Sequence, residues 1–143
     1  EFRRVLFRSL LGVEVACVRE VCRDTNHFRV PLAHPFVLGL VNRRGHIATA
    51  VGMRELFGLS SSQPADRVSA ICELEGGLLS LAVDWIGDII ETPDQLEPVP
   101  QTVDEGIRKY LKGMVRVQEK WVAVLDLPKI CQAIGSGARC GRN

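Results

Sequence analysis

The side chains of this chain best suited to chemistry are its histidines and cysteines, because imidazoles and thiolates bind metals and thiolates also act as nucleophiles. His27, His34 and His46 lie 7 and 12 residues apart, with Cys22 just ahead of them. No compact metal site has that spacing, and solvated loop histidines are the simpler account. Cys17, Cys22, Cys72, Cys131 and Cys140 are odd in number and include no CxxC pair, which argues against a disulfide framework. Cys17 and Cys72 sit in apolar, strand-like stretches and read as small buried hydrophobes, whereas Cys140 lies in a glycine-rich tail and reads as an exposed thiol. Neither a metal nor a cofactor is expected.

Glu73, Glu75, Asp84 and Asp88 are the acidic residues nearest to a general acid–base pair. Glu73 and Glu75 straddle a turn, so a solvated hairpin end explains them better. Asp126, just before Pro128, reads as a helix cap and not as a base. GxxxxGK[ST], GxGxxG, HExxH and GxSxG sequences are absent, which removes the usual signatures of phosphate, dinucleotide, zinc-protease and serine-hydrolase chemistry.

The elements that position these residues follow from composition and period. At 143 residues one domain is the default. Lys plus Arg number 18 against 17 Asp plus Glu, a formal charge of +1, which is too weak a field to gather nucleic acid or an anionic membrane. Apolar residues make up 46% and aromatics only 6%, so the interior is aliphatic. No apolar run approaches the ~20 residues that cross a bilayer, and no signal-peptide core is visible, so a soluble, cytoplasmic protein is expected.

Leu11 to Val21 reads as one bent strand closed by the turn residues Asp24, Thr25 and Asn26. Phe36–Val41 and His46–Val51 flank Asn42-Arg43-Arg44-Gly45 as a hairpin. A helical turn over Met53–Phe57 ends at Gly58, and Ser60 to Asp66 is a polar loop. Val68–Leu74 and Leu78–Val83 form a second hairpin, with Trp85–Ile90 continuing its second run before Pro93, Pro98 and Pro100. A helical turn fits within Asp104–Lys112. Met114–Val117 and Trp121–Leu125 flank Gln118-Glu119-Lys120 as a third hairpin, followed by a short helix carrying Ile130 and Ile134 on one face. The fold class is therefore mainly β, a set of barrels or a sandwich with helices only as short turns. Glu1 to Ser9 stays outside this account: it holds three arginines, and it reads either as non-native, since its Glu-Phe opening is what a common cloning-site hexamer encodes, or as the remnant of a first strand at Val5 to Phe7. The glycine-rich segment Gly135–Asn143 reads as a flexible tail.

The stretch from Phe36 to Leu59 is the most informative. Gly39 in an apolar strand, then Asn42-Arg43-Arg44-Gly45, then Ile47–Val51, Met53-Arg54 and Leu56-Phe57-Gly58 together resemble the CheW-like family. The similarity extends upstream to Val18-Arg19-Glu20-Val21. Downstream it takes in Leu81–Asp84, Ile86–Ile90, Gly113-Met114 and Trp121–Asp126, so it covers about residues 10–134. This chain departs from the family pattern at three places: Arg43 stands for a leucine, Ser80 for a glycine found in some members, and Gly52 for a frequent aspartate, which removes one possible partner of Arg54.

The resemblance implies two small, interleaved five-stranded β-barrels. It also implies a non-catalytic adaptor that docks a CheA-type histidine kinase to the signalling tip of methyl-accepting chemoreceptors, with no nucleic acid and no membrane insertion. Val18, Glu20, Gly39 and Arg44 match positions at which the family presents its receptor-facing groove, and Asn42 and Gly45 would shape the turn that aims Arg44. The residue types suit that role: a helical partner in a groove needs β-branched or small residues at the floor and a charge at the rim. Two other readings share parts of the pattern. One is a CheW-like regulatory module of a longer kinase or response-regulator fusion. The other is a small barrel binding a ligand or an oligonucleotide, against which stand the scattered aromatics and near-zero charge.

Overall fold

The computed structural model describes residues 10–23, 28–31, 33–59, 67–87, 89–92 and 95–135. Glu1–Ser9, the turn at Asp24–Asn26, His27, the loop Ser60–Asp66, Asp88, Pro93, Cys140 and the tail beyond Gly135 lie outside the described residues.

Strands dominate, as the period of the sequence implies. Leu10–Gly12 is β1, Val18–Arg23 β2, Val37–Arg43 β3, His46–Gly52 β4, Val68–Leu74 β5, Gly77–Val83 β6, Leu111–Val117 β7 and Lys120–Leu125 β8. The three expected hairpins form, and each closes over two residues: Arg43 pairs with His46, Leu74 with Gly77 and Val117 with Lys120. The first and third turns are tighter than their sequences suggest. Arg44 and Gly45 have φ of 52° and 84°, and Gln118 and Glu119 have 49° and 66°. Positive φ at both central positions gives the two-residue turn whose twist matches its strands, so Arg43 and Lys120 are strand residues.

Two expected strands differ. Leu11 to Val21 is divided by a 3₁₀ turn at Val15–Cys17, because its halves serve different sheets: β1 pairs in parallel with β8, and β2 pairs antiparallel with β5. Trp85–Ile90 does not prolong β6. The ladders on both sides of β6 have run out there, with Val83 opposite Val68 at the start of β5 and Ala82 opposite Gly52 at the end of β4.

The chain divides into two units that interleave along the sequence. One comprises Val15–Gly87 with Cys131–Asn143, the other Glu1–Glu14 with Asp88–Ile130. The first holds the five-stranded sheet β2-β5-β6-β4-β3. Ala48, Val51, Ile71 and Leu79 are almost fully buried in it, and Cys22 packs against the cluster of Ala48, Ile71 and Leu78. Val51, Ile71 and Leu79 each contribute about 2 kcal/mol by leaving water. Beyond β2, Phe28 forms an antiparallel bridge to Leu40 on β3, with both backbone hydrogen bonds at 2.8 Å, so the two outer strands of the sheet are brought towards one another. A flat five-stranded sheet would hold them apart, so this sheet is rolled. The second unit holds β1-β8-β7, to which Glu97 adds a bridge against Met114. Gly113 permits that approach, since a Cβ there would lie 2.8 Å from the Glu97 carbonyl oxygen.

The helices are short punctuation. α1 (Met53–Leu56) is followed by Gly58 at φ 72°, α2 is Glu105–Arg108, and α3 is Leu127–Ile134. Asp126 caps α3 by accepting a hydrogen bond from the Lys129 amide at 3.3 Å, with Ile130 and Ile134 buried. Among the described residues no helix is long and apolar enough to cross a membrane.

Candidate functional site

The β3–β4 turn is built by its own sequence. The Asn42 Oδ1 accepts a hydrogen bond from the Gly45 amide at 3.0 Å, which holds the loop shut, and Gly45 adopts positive φ without steric cost. Arg44 occupies the other left-handed position, and its side chain stands exposed at the tip. Gly39 lies in β3, five residues before Arg44, buried, at φ 148°, where the pairing slips between Val37 and Gly39. The glycine there is a bulge residue, which bends β3.

Val18 and Glu20 come from β2, the opposite outer strand. Val18, Glu20 and Cys22 are half-buried and alternate with exposed Arg19, Val21 and Arg23, the pattern of a strand with one face turned inward. Glu20 is joined to the turn by a contact absent from the sequence reading: Arg43 Nη2 donates to Glu20 Oε1 at 2.6 Å. Both side chains are about three-quarters covered, at 28% and 24% exposure. The Arg43 hydrogen bond holds the Glu20 carboxyl below its ordinary range against the opposing effect of burial, and the charges of Arg43, Arg44 and Arg19 act in the same direction as the bond. The structure therefore brings Glu20, Asn42, Arg44 and Gly45 to one end of a single unit through Arg43. Val18 lies at the start of β2 opposite Cys72, and Gly39 in the body of β3 opposite Ala50.

The departures at Gly52 and Arg43 acquire physical accounts. Arg54 has a carboxylate after all, the exposed Asp84, reached by Nε at 3.0 Å and Nη2 at 2.7 Å. A Cβ on Gly52 would lie 2.0 Å from Glu55 Oε1 and 2.8 Å from an Arg67 guanidinium nitrogen. Glu55 and Arg67 form a two-pronged pair at 2.9 and 2.7 Å, with Arg67 only 5% exposed, and glycine leaves room for it. Burial raises the Glu55 carboxyl, yet the bonds from Arg67 and from its own backbone bring it below its ordinary value. Nothing in the structure explains the serine at position 80, whose buried Oγ has no hydrogen-bond partner among the described residues.

Other candidate chemistry disperses. Glu73 is exposed and 3.7 Å from Arg19, and Asp84 serves Arg54. Among the described residues no group of three or more His, Cys, Asp and Glu is placed to hold a metal ion. Cys72 is fully buried, and burial, with smaller effects from Cys17 and Cys131, pushes its thiol up to about 12, which keeps it protonated and unreactive at neutral pH. The arrangement presents an exposed arginine on a hydrogen-bonded turn, beside a strand whose carboxylate is paired with Arg43.

Comparison with known proteins gives one consistent result. The CheW-like domain pattern matches residues 5–135. The chemotaxis protein CheW of Rhizobium meliloti (strain 1021) is 24% identical over 120 residues, covering 82% of this chain and 77% of its own. The chemotaxis protein CheW of Treponema pallidum (strain Nichols) is 25% identical over 139 residues, covering 91% and 82%. Among solved structures, the scaffolding protein TtCheW from Thermoanaerobacter tengcongensis superposes with a TM-score of 0.80 at 24% identity, over 96% of this chain and 94% of that one, and shares the fold.

Proposed function

The chain belongs to the CheW-like domain family, and from that premise we propose that it is a chemotaxis adaptor, non-catalytic, which couples chemoreceptors to a CheA-type histidine kinase by protein–protein binding in the cytoplasm. The observation that carries this reading is the build of the β3–β4 turn. The left-handed φ of Arg44 is what a two-residue turn demands, as it is at Gln118 and Glu119 of the third hairpin; what sets this turn apart is an exposed cation standing beside the partly buried Arg43–Glu20 pair. Held by the Asn42–Gly45 bond, Arg44 is preorganised for a partner, and a preorganised contact loses less entropy on binding. Val18, Glu20 and Gly39 complete the face in this reading: Val18 and Gly39 supply a small, apolar floor, and Arg44 the charged rim. The domain in this reading is residues 10–134.

Titration of the protein against a receptor signalling-tip fragment and against a CheA regulatory domain tests the proposal. Both should bind. Arg44→Glu should weaken tip binding on the order of tenfold or more, while the unfolding temperature stays nearly unchanged, because an exposed surface charge contributes little to stability. Equal tip affinity for Arg44→Glu and the parent would remove the turn from the interface, and absence of binding to either protein would remove the adaptor reading itself.

A further inference from the structure

The same end of the five-stranded unit carries more positive charge than its sequence neighbours suggest. Arg19, Arg43 and Arg44 all act on the single carboxylate of Glu20, and Arg19 also lies 3.7 Å from Glu73. Only Arg43 makes the contact pair with Glu20, and it does so from the last position of β3, a strand at the opposite edge of the sheet from β2. The bond runs through one terminal nitrogen, Nη2, and the buried Nε of Arg43 has no acceptor among the described residues. The carboxylate, about three-quarters covered, is masked by this bond, while Arg44 next door remains exposed.

We propose that Arg43 sets the charge preference of this face: by neutralising Glu20 it turns a mixed-charge surface into a cationic one, selecting a partner whose helical surface presents an Asp or Glu opposite Arg44. This inference rests on the adaptor reading and refines it, since it names which charge the partner carries and which residue decides it. Without Arg43, an acidic partner would meet a bare carboxylate beside Arg44. Like charges brought together across an interface disfavour the complex, which is how a single buried-edge residue can exclude one class of partner. Arg43 is thus a positioning residue. It acts through Glu20, and replacing it with leucine would be unfavourable here although leucine is the usual residue of the family.

The test exploits a difference in sign. If Arg43 merely clips β2 to β3, Arg43→Leu and Glu20→Gln break the same bond and should lower tip affinity alike. If Arg43 masks Glu20, Arg43→Leu should weaken binding of an acidic receptor-tip fragment about fivefold or more, Glu20→Gln should leave it equal or tighter, and the double variant should return to the parent affinity. A partner-independent measurement accompanies these titrations: NMR titration of the Glu20 carboxyl should show its midpoint rising when Arg43 becomes leucine, and Arg43→Lys should restore part of the depression if the leucine variant folds poorly. Equal losses from the two single variants, or a Glu20 midpoint indifferent to Arg43, would overturn the masking role while leaving the adaptor reading in place. A parent protein that binds no receptor tip would overturn both.

Discussion

Two stretches of this chain are built to the same plan. A constant offset along the sequence carries Val37 to Leu111, Gly39 to Gly113, Arg44-Gly45 to Gln118-Glu119, Val51 to Leu125 and Gly52 to Asp126. The ladders agree: each hairpin has a bulge just before its glycine, pairs Gly39 with Ala50 or Gly113 with Val124, closes over two left-handed residues and runs directly into a helix. The plan is therefore a property of backbone geometry, and the side chains that satisfy it differ. The first tip has Gly45 and the Asn42 bond. The second has two non-glycine residues at positive φ, with the Arg116 guanidinium over the ring of Trp121, its cross-strand partner, at 5.9 Å. In the first hairpin the arginine next to the turn reaches another strand, to Glu20, while in the second the arginine stays on its own hairpin. The same contrast appears at the helix starts, where Asp126 caps α3 and Gly52 makes no side-chain cap for α1. Shared topology thus leaves the anchoring of each hairpin free to vary, and the first has placed its anchors in long-range ion pairs.

The sharpest way to break the comparison is to exchange the helix starts. Gly52→Asp, which gives the first hairpin the cap of the second, should destabilise the protein by about 1–2 kcal/mol in denaturant unfolding, because its Cβ forces the ends of Glu55 and Arg67 to shift and strains their two-pronged pair. The reverse loss, Asp126→Ala, should be smaller, about 1 kcal/mol, the ordinary value of a helix cap. If Gly52→Asp were neutral, the glycine would not be there for the ion pair.

Exchange of the turns has intermediate effects of opposite sign. Gly45→Val should lower stability by about 1–2 kcal/mol, since a β-branched residue resists φ near 84°. Glu119→Gly should raise it by about 0.5–1 kcal/mol by relieving the left-handed strain at φ 66°. Thermal unfolding of the two variants side by side checks both signs.

The smallest expected effect concerns pH and separates the anchors. Glu20 and Glu55 are both held below their ordinary value of 4.5, so their ion pairs stabilise the fold fully above that value and are lost as pH falls through the lower folded values. Unfolding temperature should therefore decline in acid below about pH 4.5, and Glu20→Gln should flatten part of that decline. Trp121→Leu, which removes the ring beneath the Arg116 guanidinium and no carboxylate, should leave the acid slope unchanged.

Much of this plan could be read along the chain. Asn42 and Gly45 announced a turn, Gly58 a helix end, and Asp126 with Pro128 a helix start, because each acts on backbone within a few residues of itself. The elements that carry the candidate site were legible to the same depth: Arg44 was placed at an exposed turn, and Glu20 on a bent strand. The link between them was not legible. Arg43 and Glu20 stand 23 residues apart, and Arg54 and Asp84 30 apart, with nothing in either local pattern to pair them.

What the sequence by itself determined is thus the local geometry: where strands alternate, where the backbone must turn left-handed, and where helices begin and end, all governed by sterics and hydrogen bonds of short reach. What only the tertiary structure decided is which charges meet. Rolling the five-stranded sheet brings its outer strands β2 and β3 together, and the strand register then selects Arg43 for Glu20 and Arg67 for Glu55. A residue's neighbours across a rolled sheet depend on the ladder closing around the whole core, a condition set by every strand at once and recorded at no single position of the chain.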